Sequence, residues 1–272
     1  MIGSRVGSVT GRILGSKGAS SSDDEGGAGS PQFTRDATSG VAIPQSLAEW
    51  TAFNTSAGTS FMPDHSRLCQ DVSGNLADAF GGQALVLSGS GSFRQSVPGW
   101  SSLSAVTPGT TTNWTVTSAE LPSTVSRARL AYGYYTTTPG GQRNFCALSG
   151  GANPLRLDVS TANKLMLQQA ARSAIVSTQT YMNSPFIALL VHNLDLAHGG
   201  ATPLCKAYTQ LEIIGDTTAV AITDANEGFG LVNSAGTMHY LFEASFSGVN
   251  AEFTDTTARA FMSALLNSAV PW

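Results

Sequence analysis

Short stretches of alternating apolar and polar residues dominate the hydrophobic pattern of this chain. In HYLFEASF (239–246), alternate apolar residues share one face of a strand: Tyr240, Phe242, Ala244 and Phe246. Similar stretches, bounded by Gly, Ser, Thr and Asn, predict ten strands at residues 83–89, 92–97, 113–121, 126–137, 144–150, 154–160, 164–170, 186–194, 207–215 and 239–246. The pattern predicts an all-β protein, a two-sheet antiparallel jelly-roll sandwich.

A helical turn is predicted ahead of these strands. Ser46 is a suitable N-cap, and Glu49 follows three residues later, as in a capping box. Leu47, Trp50 and Phe53 are spaced to form the inward face of this turn.

A short amphipathic helix is predicted near the C-terminus. Thr254 is a suitable N-cap, Asp255 falls in the first turn, and Phe253 stands where a hydrophobic staple residue would. Four apolar residues recur at helical spacing: Ala258, Phe261, Met262 and Leu265. We expect this helix to close an open end or edge of the sandwich.

Residues 1–32 differ from the rest and predict an extended Gly/Ser-rich N-terminal arm and linker, ahead of a jelly-roll domain at 33–272. Glycine recurs every fourth residue from 3 to 15, and each glycine inside a helix costs about 1 kcal/mol against alanine. We expect the arm to add to a neighbouring subunit as a strand. The candidate assembly contacts are Arg5, Val6, Val9, Arg12, Ile13, Leu14 and Trp272.

The composition narrows the classes of partner. Charged residues make up 12% of the chain, against an average of about 25%, so polar uncharged residues or other subunits must cover much of the surface. A net charge of -4 argues against sequence-independent nucleic-acid binding. The longest apolar run, PFIALLVHNL, is about half a membrane span, and the N-terminus lacks the apolar core of a signal peptide. We therefore expect a protein made in the cytoplasm, with no membrane insertion.

The cysteines form no metal-ligand pattern. Cys69, Cys146 and Cys205 are widely spaced and odd in number, so we expect buried thiols in a reducing compartment. His65 precedes Cys69 by four residues, but nothing around them supports a nucleophilic pair.

No cofactor, metal or catalytic site is predicted. His192, Asp195 and His198 in HNLDLAH converge on one ion only if the segment is an irregular loop. Glu212 and Asp216 are the closest approach to the paired carboxylates of glycan hydrolysis, but apolar residues separate them. We expect a protein that is not an enzyme.

Three segments resemble a known family. HYLFEASFSGVNAEFTDTTARAFMSALL is similar to the C-terminal end of concanavalin-like (laminin-G-like) jelly-roll modules, and LCQDVSGNLADAFGGQALVLSGSGSFRQSVPGW resembles their opening. TRDATSGVAIPQSLAEW is similar to the segment that precedes such modules in structural proteins of tailed bacteriophages and related particles. The resemblance covers roughly residues 33 to 266.

The resemblance and the arm together suggest a structural protein of a virion or phage-like particle, assembled in the bacterial cytoplasm. Its partners would be other particle proteins and copies of itself. The alternative is a lectin-like adhesin module that binds host-surface carbohydrate. Concanavalin-like modules bind sugars through residues on rim loops, for which the candidates here are Trp100, Tyr134, Asp224 and Asn226.

Overall fold

The computed structural model describes residues 44–69, 76–82, 84, 86–88, 91–94, 105–108, 112–115, 127–135, 141, 143–148, 155–169, 174–183, 186–193, 204–216, 228–231, 238–247 and 255–266. By internal contacts the chain divides into two units, Met1–Ser30 and Pro31–Trp272, and every described residue belongs to the second. The predicted boundary at residue 32 stays a prediction, since it lies outside these ranges.

Sixteen strands and two helices make up the described part. The helices are α1 (Leu47–Ala57) and α2 (Asp255–Leu266). The strands are β1 (His65–Cys69), β2 (Leu76–Asp78), β3 (Val86–Ser88), β4 (Gly91–Arg94), β5 (Ala105–Pro108), β6 (Thr112–Thr115), β7 (Arg127–Tyr135), β8 (Arg143–Leu148), β9 (Leu155–Val159), β10 (Leu165–Gln169), β11 (Ile175–Val176), β12 (Phe186–Asn193), β13 (Leu204–Thr209), β14 (Ile213–Asp216), β15 (Gly228–Leu231) and β16 (Met238–Ser247). Every predicted segment overlaps a strand.

Two layers of antiparallel strands form the body. The larger is a nine-stranded sheet with the order β14-β13-β12-β7-β16-β1-β2, which β4 and β5 join through a pairing of β5 with β16. The other strands form a four-stranded sheet, β11-β10-β9-β8, and a three-stranded sheet, β15-β6-β3, which adjoin where β15 runs beside β8. The predicted all-β antiparallel sandwich is confirmed.

The nine-stranded sheet is buried on both faces. Along β7, Leu130 and Tyr132 belong to a first core on the face toward the helices, whereas Ala131 between them belongs to a second core between the sheets. Leu189 and Leu190 on β12 divide in the same way. Period-two alternation thus places apolar side chains on both sides of the central strands.

Helix α2 lies on the outer face of the nine-stranded sheet, together with α1, and not across an open end or edge. The prediction of an end plug is therefore wrong. The stripe itself is confirmed, because four residues are fully buried in the first core: Ala258, Phe261, Met262 and Leu265. The physical reason for the placement is that the central strands expose a second apolar face, and one amphipathic helix beside α1 covers it.

The capping prediction for α1 is confirmed. Ser46 has extended backbone, and its Oγ accepts a hydrogen bond from the Glu49 N–H at 3.2 Å. The Glu49 carboxylate reaches back one residue beyond the cap and accepts from the Gln45 N–H at 2.6 Å. Gly58 ends the helix at φ 65°, a left-handed conformation that glycine adopts without steric cost.

The predicted inward face of α1 is only partly correct. Trp50 and Phe53 are fully buried, but Leu47 in the first turn is 61% exposed. The buried stripe instead continues to Asn54, whose side-chain Oδ1 accepts from the Phe61 N–H at 3.0 Å. Asn54 satisfies backbone groups of the segment after the helix, a role that apolar periodicity does not reveal.

Two predicted strands depart from regular geometry. A bulge shifts the register of β16 between Tyr240 and Phe242, so strict alternation does not run through the whole of 239–246. The predicted strand 207–215 is a hairpin, in which Thr209 Oγ1 accepts from the N–H groups of Leu211 and Glu212 at 3.1 and 3.0 Å. A threonine side chain that binds its own turn competes with strand continuation. No helix among the described residues is long and apolar enough to cross a membrane.

Candidate functional site

The inner face of the large sheet changes character from one side to the other. On β12, β13 and β14 it carries apolar residues of the second core, such as Leu190 and Ala207. On the four adjacent strands β7, β16, β1 and β2, charged residues of alternating sign occupy neighbouring positions: Arg129, Glu243, Arg67 and Asp78. We call these four residues the charge row.

The register of the strands builds the charge row. Arg67 stands opposite Glu243 on one side and Asp78 on the other, while Arg129 stands opposite Ser245. Arg67 and Arg129 are both fully buried. A buried charge is tolerated only with compensating groups, and the Asp78 carboxylate, whose pKa the Arg67 charge helps to lower, is one such group for Arg67.

His65 and Asp78 form a close pair at the β2 end of this face. His65 Nδ1 lies 2.7 Å from Asp78 Oδ2. Asp78 Oδ1 accepts from the Ser66 and Phe80 N–H groups at 3.2 and 3.1 Å. Burial alone would raise the pKa of Asp78, but the hydrogen bonds from His65, Phe80 and Ser66 and the nearby Arg67 charge lower it. The carboxylate is therefore ionised at neutral pH.

The sequence LADAFGG explains the local backbone. The Asp78 carboxylate caps the turn after β2 by accepting from Phe80, a local bond that aspartate favours. Gly81 continues the turn at φ 79°, where glycine avoids strain. Gly82 then passes over the pair: a Cβ at this position would overlap Asp78 Oδ2 and lie 2.9 Å from His65 Nδ1. Any larger residue at this position would have to displace the pair.

The pair fixes the chemistry of the imidazole. With Asp78 ionised, Nδ1 carries the proton and donates it to Oδ2, so Nε2 is an acceptor when the ring is neutral. The His65 side chain is 18% exposed, whereas that of Asp78 is fully buried. The neighbouring Ser66 hydroxyl points to the helix side of the sheet, where it accepts from Trp50 Nε1 at 3.1 Å. Among the described residues, no nucleophile is hydrogen-bonded to His65.

A second carboxylate, Glu212, joins the edges of the two sheets. Its oxygens accept from the Thr178 N–H and hydroxyl, both at 2.8 Å, from the Gln179 N–H at 2.9 Å and from the Tyr181 hydroxyl at 3.0 Å. Burial raises the pKa of Glu212, but these hydrogen bonds outweigh it and lower the pKa. The arrangement ties the segment after β11 to the β13–β14 turn.

A third carboxylate, Asp255, anchors α2 to the sheet. It accepts from Lys206 Nζ at 2.7 Å and from the Tyr208 hydroxyl at 2.6 Å. Burial raises the pKa of Asp255, but Lys206, Tyr208 and the Arg259 charge together lower it. Burial and the Asp255 carboxylate raise the pKa of Tyr208, so the phenol stays protonated.

The two pairs that the sequence analysis considered and set aside lie apart in the structure. His65 and Cys69 occupy opposite ends of β1, which at roughly 3.3 Å per residue places their Cα atoms about 13 Å apart. Glu212 directly precedes β14 and Asp216 ends it, which at the same rise places their Cα atoms about 13 Å apart.

The histidines and the aspartate of HNLDLAH, for which no metal site was predicted, and the three cysteines lie as follows. His192 is fully buried in β12, and no cluster of three metal-ligating residues occurs among the described residues; Asp195 and His198 lie outside them. Cys146 and Cys205 are buried thiols, as expected, and the side chain of Cys69 is outside the description.

The predicted glycan and assembly residues stay predictions. Tyr134 lies on β7 opposite His239, but its side chain is not described. Trp100, Asp224 and Asn226 lie outside the described residues, as does Thr254, the predicted N-cap of α2. The predicted assembly contacts lie outside them as well: Arg5, Val6, Val9, Arg12, Ile13, Leu14 and Trp272.

Sequence reasoning missed the His65–Asp78 pair. The segment HSRLC lacks apolar alternation, because its inward positions carry His65 and Arg67, so it did not predict a strand. A signal for this pair is nevertheless present in LADAFGG, where two consecutive glycines begin three residues after Asp78. This pattern predicts a turn capped by a carboxylate. The partner of that carboxylate comes from β1, thirteen residues earlier, and only strand pairing reveals it.

Comparison with known proteins supports the fold. No protein-family model and no curated protein sequence matches this chain. Among solved structures, Trypanosoma rangeli sialidase is similar at a TM-score of 0.51 and 10% identity, over 79% of this chain and 37% of the sialidase. A T. rangeli sialidase mutant displaying trans-sialidase activity is similar at a TM-score of 0.51 and 11% identity, over 75% of this chain and 33% of the mutant. The botulinum neurotoxin serotype G binding domain has a TM-score of 0.49 and 10% identity, over 74% of this chain and 51% of the binding domain.

The chain thus spans about a third of the length of the sialidases that it matches. At such identities, the likeness to the sialidases establishes a shared β-sandwich fold.

Proposed function

We propose that this chain is a non-catalytic β-sandwich module that binds carbohydrate. The observation that carries the proposal is the His65–Asp78 pair, a fixed and partly exposed hydrogen-bonding group with no nucleophile bonded to it among the described residues. Exposed peptide groups at Gly81 and Gly82 lie beside it. Sugar recognition uses such a small number of well-placed polar groups on a rigid scaffold.

The states of the carboxylates favour binding over hydrolysis. A glycosidase needs a carboxylic acid whose pKa is raised, so that it can protonate the leaving group. The pKa values of Asp78, Glu212 and Asp255 are all lowered, and each carboxylate already accepts several hydrogen bonds. These groups hold the structure together and are poor proton donors.

The fold comparison adds support of a general kind. A similar structure, at a TM-score of 0.51 and 10% identity, is Trypanosoma rangeli sialidase in complex with sialic acid. That ligand belongs to the sialidase. It supports the proposal because a protein that contains a similar fold has been solved with a bound carbohydrate.

Binding and product analysis together test the proposal. The full chain is applied to an array of neutral and sialylated oligosaccharides, and the same oligosaccharides are incubated with it and analysed by mass spectrometry. We expect saturable binding to at least one glycan with no cleavage, while an active sialidase assayed in parallel releases sialic acid. Cleavage at catalytic turnover, or no binding on the whole array, would contradict the proposal.

A second proposal, a virion structural protein of a tailed phage or phage-like particle, rests on the composition. Charged residues are only 12% of the chain, which favours a surface covered by other subunits. In this case residues 1–30 tie the protein to its neighbours. Deleting them should leave the melting temperature of the remainder nearly unchanged but prevent its incorporation into particles. Normal incorporation of the truncated chain would refute this proposal.

A further inference from the structure

Strand β14 ends the nine-stranded sheet and turns backbone groups outward. Among the described strands it pairs with β13 alone. The Thr209 N–H donates to the Glu212 C=O at 3.0 Å, so these two residues form a hydrogen-bonded pair at the head of the hairpin. Because bonded and non-bonded pairs alternate along an antiparallel ladder, Ile214 bonds to β13, whereas the N–H and C=O groups of Ile213 and Gly215 point away from it. Gly215 is exposed, so another chain can reach its backbone.

The residues of this strand do not protect it from pairing. Edge strands commonly carry lysine or proline, which discourage the addition of another strand. The first three residues of β14 are Ile, Ile and Gly, and its single charge is at the last position. Leu211 just before β14 is 39% exposed, and Val176 on the adjacent β11 is 47% exposed. We call the outward backbone of Ile213 and Gly215, with Leu211 and Val176 beside it, the β14 edge.

Glu212 closes the layer beneath this edge. Its carboxylate holds Thr178, Gln179 and Tyr181 of the segment after β11 against the β13–β14 turn. A strand added at the β14 edge therefore extends the nine-stranded sheet and leaves the second core in place. All four donors to Glu212 are uncharged, so this carboxylate keeps its negative charge.

The outer side of the edge offers an apolar surface without added charge. Lys206 stands opposite Gly215, and its Cγ lies 3.2 Å from the position that a Cβ on Gly215 would take. A side chain arriving beside Gly215 thus packs on the methylene stem of Lys206. The Lys206 ammonium is balanced by Asp255 at 2.7 Å, which leaves Glu212 to set the sign of the charge.

We propose that the β14 edge receives residues 1–22 of a second copy of this chain as an added strand. This inference rests on the second proposed function, in which residues 1–30 tie the protein to its neighbours, and it names the surface that receives them. Strand addition of this kind gains backbone hydrogen bonds from the edge, and alternate side chains supply apolar anchors.

Charge complementarity favours this segment as the occupant. Residues 1–22 contain three basic residues, Arg5, Arg12 and Lys17, and no acidic residue. The chain's other eleven basic residues and fifteen of its eighteen acidic residues lie in Pro31–Trp272, which therefore carries a net charge of -4. A segment of charge +3 is attracted to such a surface.

The sequence of the segment also suits an added strand. Residues 1–22 contain no proline, so each peptide group after the first can donate a hydrogen bond. In an extended strand, Val9 and Ile13 share one face, and Val6 and Leu14 share the other. Because the segment and the edge are different surfaces, the contact is head to tail and builds rings or chains of subunits.

Sedimentation velocity of the full chain over a range of concentrations tests the proposal. We expect association beyond the monomer that weakens at high salt and is reversed by an excess of a synthetic peptide of residues 1–22. The matched control is the same peptide with Arg5, Arg12 and Lys17 replaced by glutamine, which should compete less well. Hydrogen exchange on the wild-type chain should show slower exchange at Ile213 and Gly215 in the associated state than in the dilute monomer.

Variants of the full chain locate the contact. Gly215→Pro removes an outward N–H that β13 does not use, and the loss of one hydrogen bond should weaken association by about 2- to 12-fold. Replacing both Val176 and Leu211 with alanine should also weaken it. Leu47→Ala, which removes an exposed apolar side chain from α1, is the control and should associate as the wild type.

The outcomes separate the edge from the role of the arm. A wild-type chain that stays monomeric at every concentration overturns the proposal, and so does association that the peptide leaves unchanged. If the peptide reverses association but exchange at Ile213 and Gly215 does not change, the β14 edge is not the receiving surface. The second proposed function then still stands on the incorporation of the truncated chain into particles. The exchange measurement on the wild type tests the edge even if Gly215→Pro does not fold.

Discussion

Removing the Phe261 side chain should destabilise the protein strongly, because this ring joins α2 to the rest of the first core. Its ring stacks on Trp50 with centroids 6.3 Å apart and an interplanar angle of 8°. It also meets three other rings edge to face: Phe53 and Phe61 at 5.4 Å and Phe246 at 6.1 Å. The residue is fully buried.

The expected loss follows from burial and ring geometry. Replacing a buried phenylalanine with alanine typically costs about 3–5 kcal/mol, and each favourable aromatic pair adds about 0.5–1.5 kcal/mol beyond area burial. We expect Phe261→Ala to fall at the upper end of the first range. At roughly 2–4 °C per kcal/mol for a domain of this size, a loss of about 5 kcal/mol should lower the melting temperature by about 10–20 °C.

Denaturant titration and thermal unfolding, followed by circular dichroism, measure this loss. Thr256→Ala is the matched control, since Thr256 lies on the same helix and is exposed, and it should change the free energy of unfolding by less than about 0.5 kcal/mol. A loss below about 1 kcal/mol in Phe261→Ala would refute the packing of α2 on the outer face of the sheet.

Two further predictions follow from the carboxylates and glycines. The pKa of Glu212 lies below its ordinary 4.5 in the folded protein, so its stabilising contribution is complete above that pH and is lost as the pH falls through the folded value. Acid titration of stability should show a shallower dependence in Glu212→Gln, and an unchanged slope would contradict the hydrogen-bonded arrangement. Gly133→Ala should destabilise the fold by about 1–3 kcal/mol through overpacking, since its Cβ would overlap the buried Phe145 ring. A denaturation midpoint equal to that of the wild-type protein would contradict this close approach.

Strand positions were predictable where one face of a strand is apolar. FIALLVHNL and SRARLAYGYYTT coincide with β12 and β7, because apolar residues mark both strands clearly. The capping of α1 was equally accessible, since Ser46 and Glu49 act over three residues. In these cases the determining interactions are local in sequence.

The rest depended on pairing between distant segments. The stripe on α2 predicts that the helix is packed, but only the register of β7 and β12 shows that their outer face is apolar and needs a cover. Leu47 illustrates the same limit, because helical spacing cannot show where neighbouring elements stop covering the helix. His65 and Asp78 meet only through the pairing of β1 with β2, which no local pattern encodes.

The most direct test of the account is the tautomer of the neutral His65 imidazole in solution and its response to a sugar. Long-range ¹H–¹⁵N spectra of the imidazole nitrogens, recorded at pH 7.5 with and without lactose, distinguish the two tautomers and report contact with a ligand. In the neutral ring we predict the proton on Nδ1, and we predict a shift of the imidazole nitrogen resonances on addition of the sugar, with Asp78→Asn moving the proton to Nε2. A neutral wild-type ring with its proton on Nε2, or imidazole resonances that do not move at saturating sugar, would contradict the assignment of the His65–Asp78 pair to ligand binding.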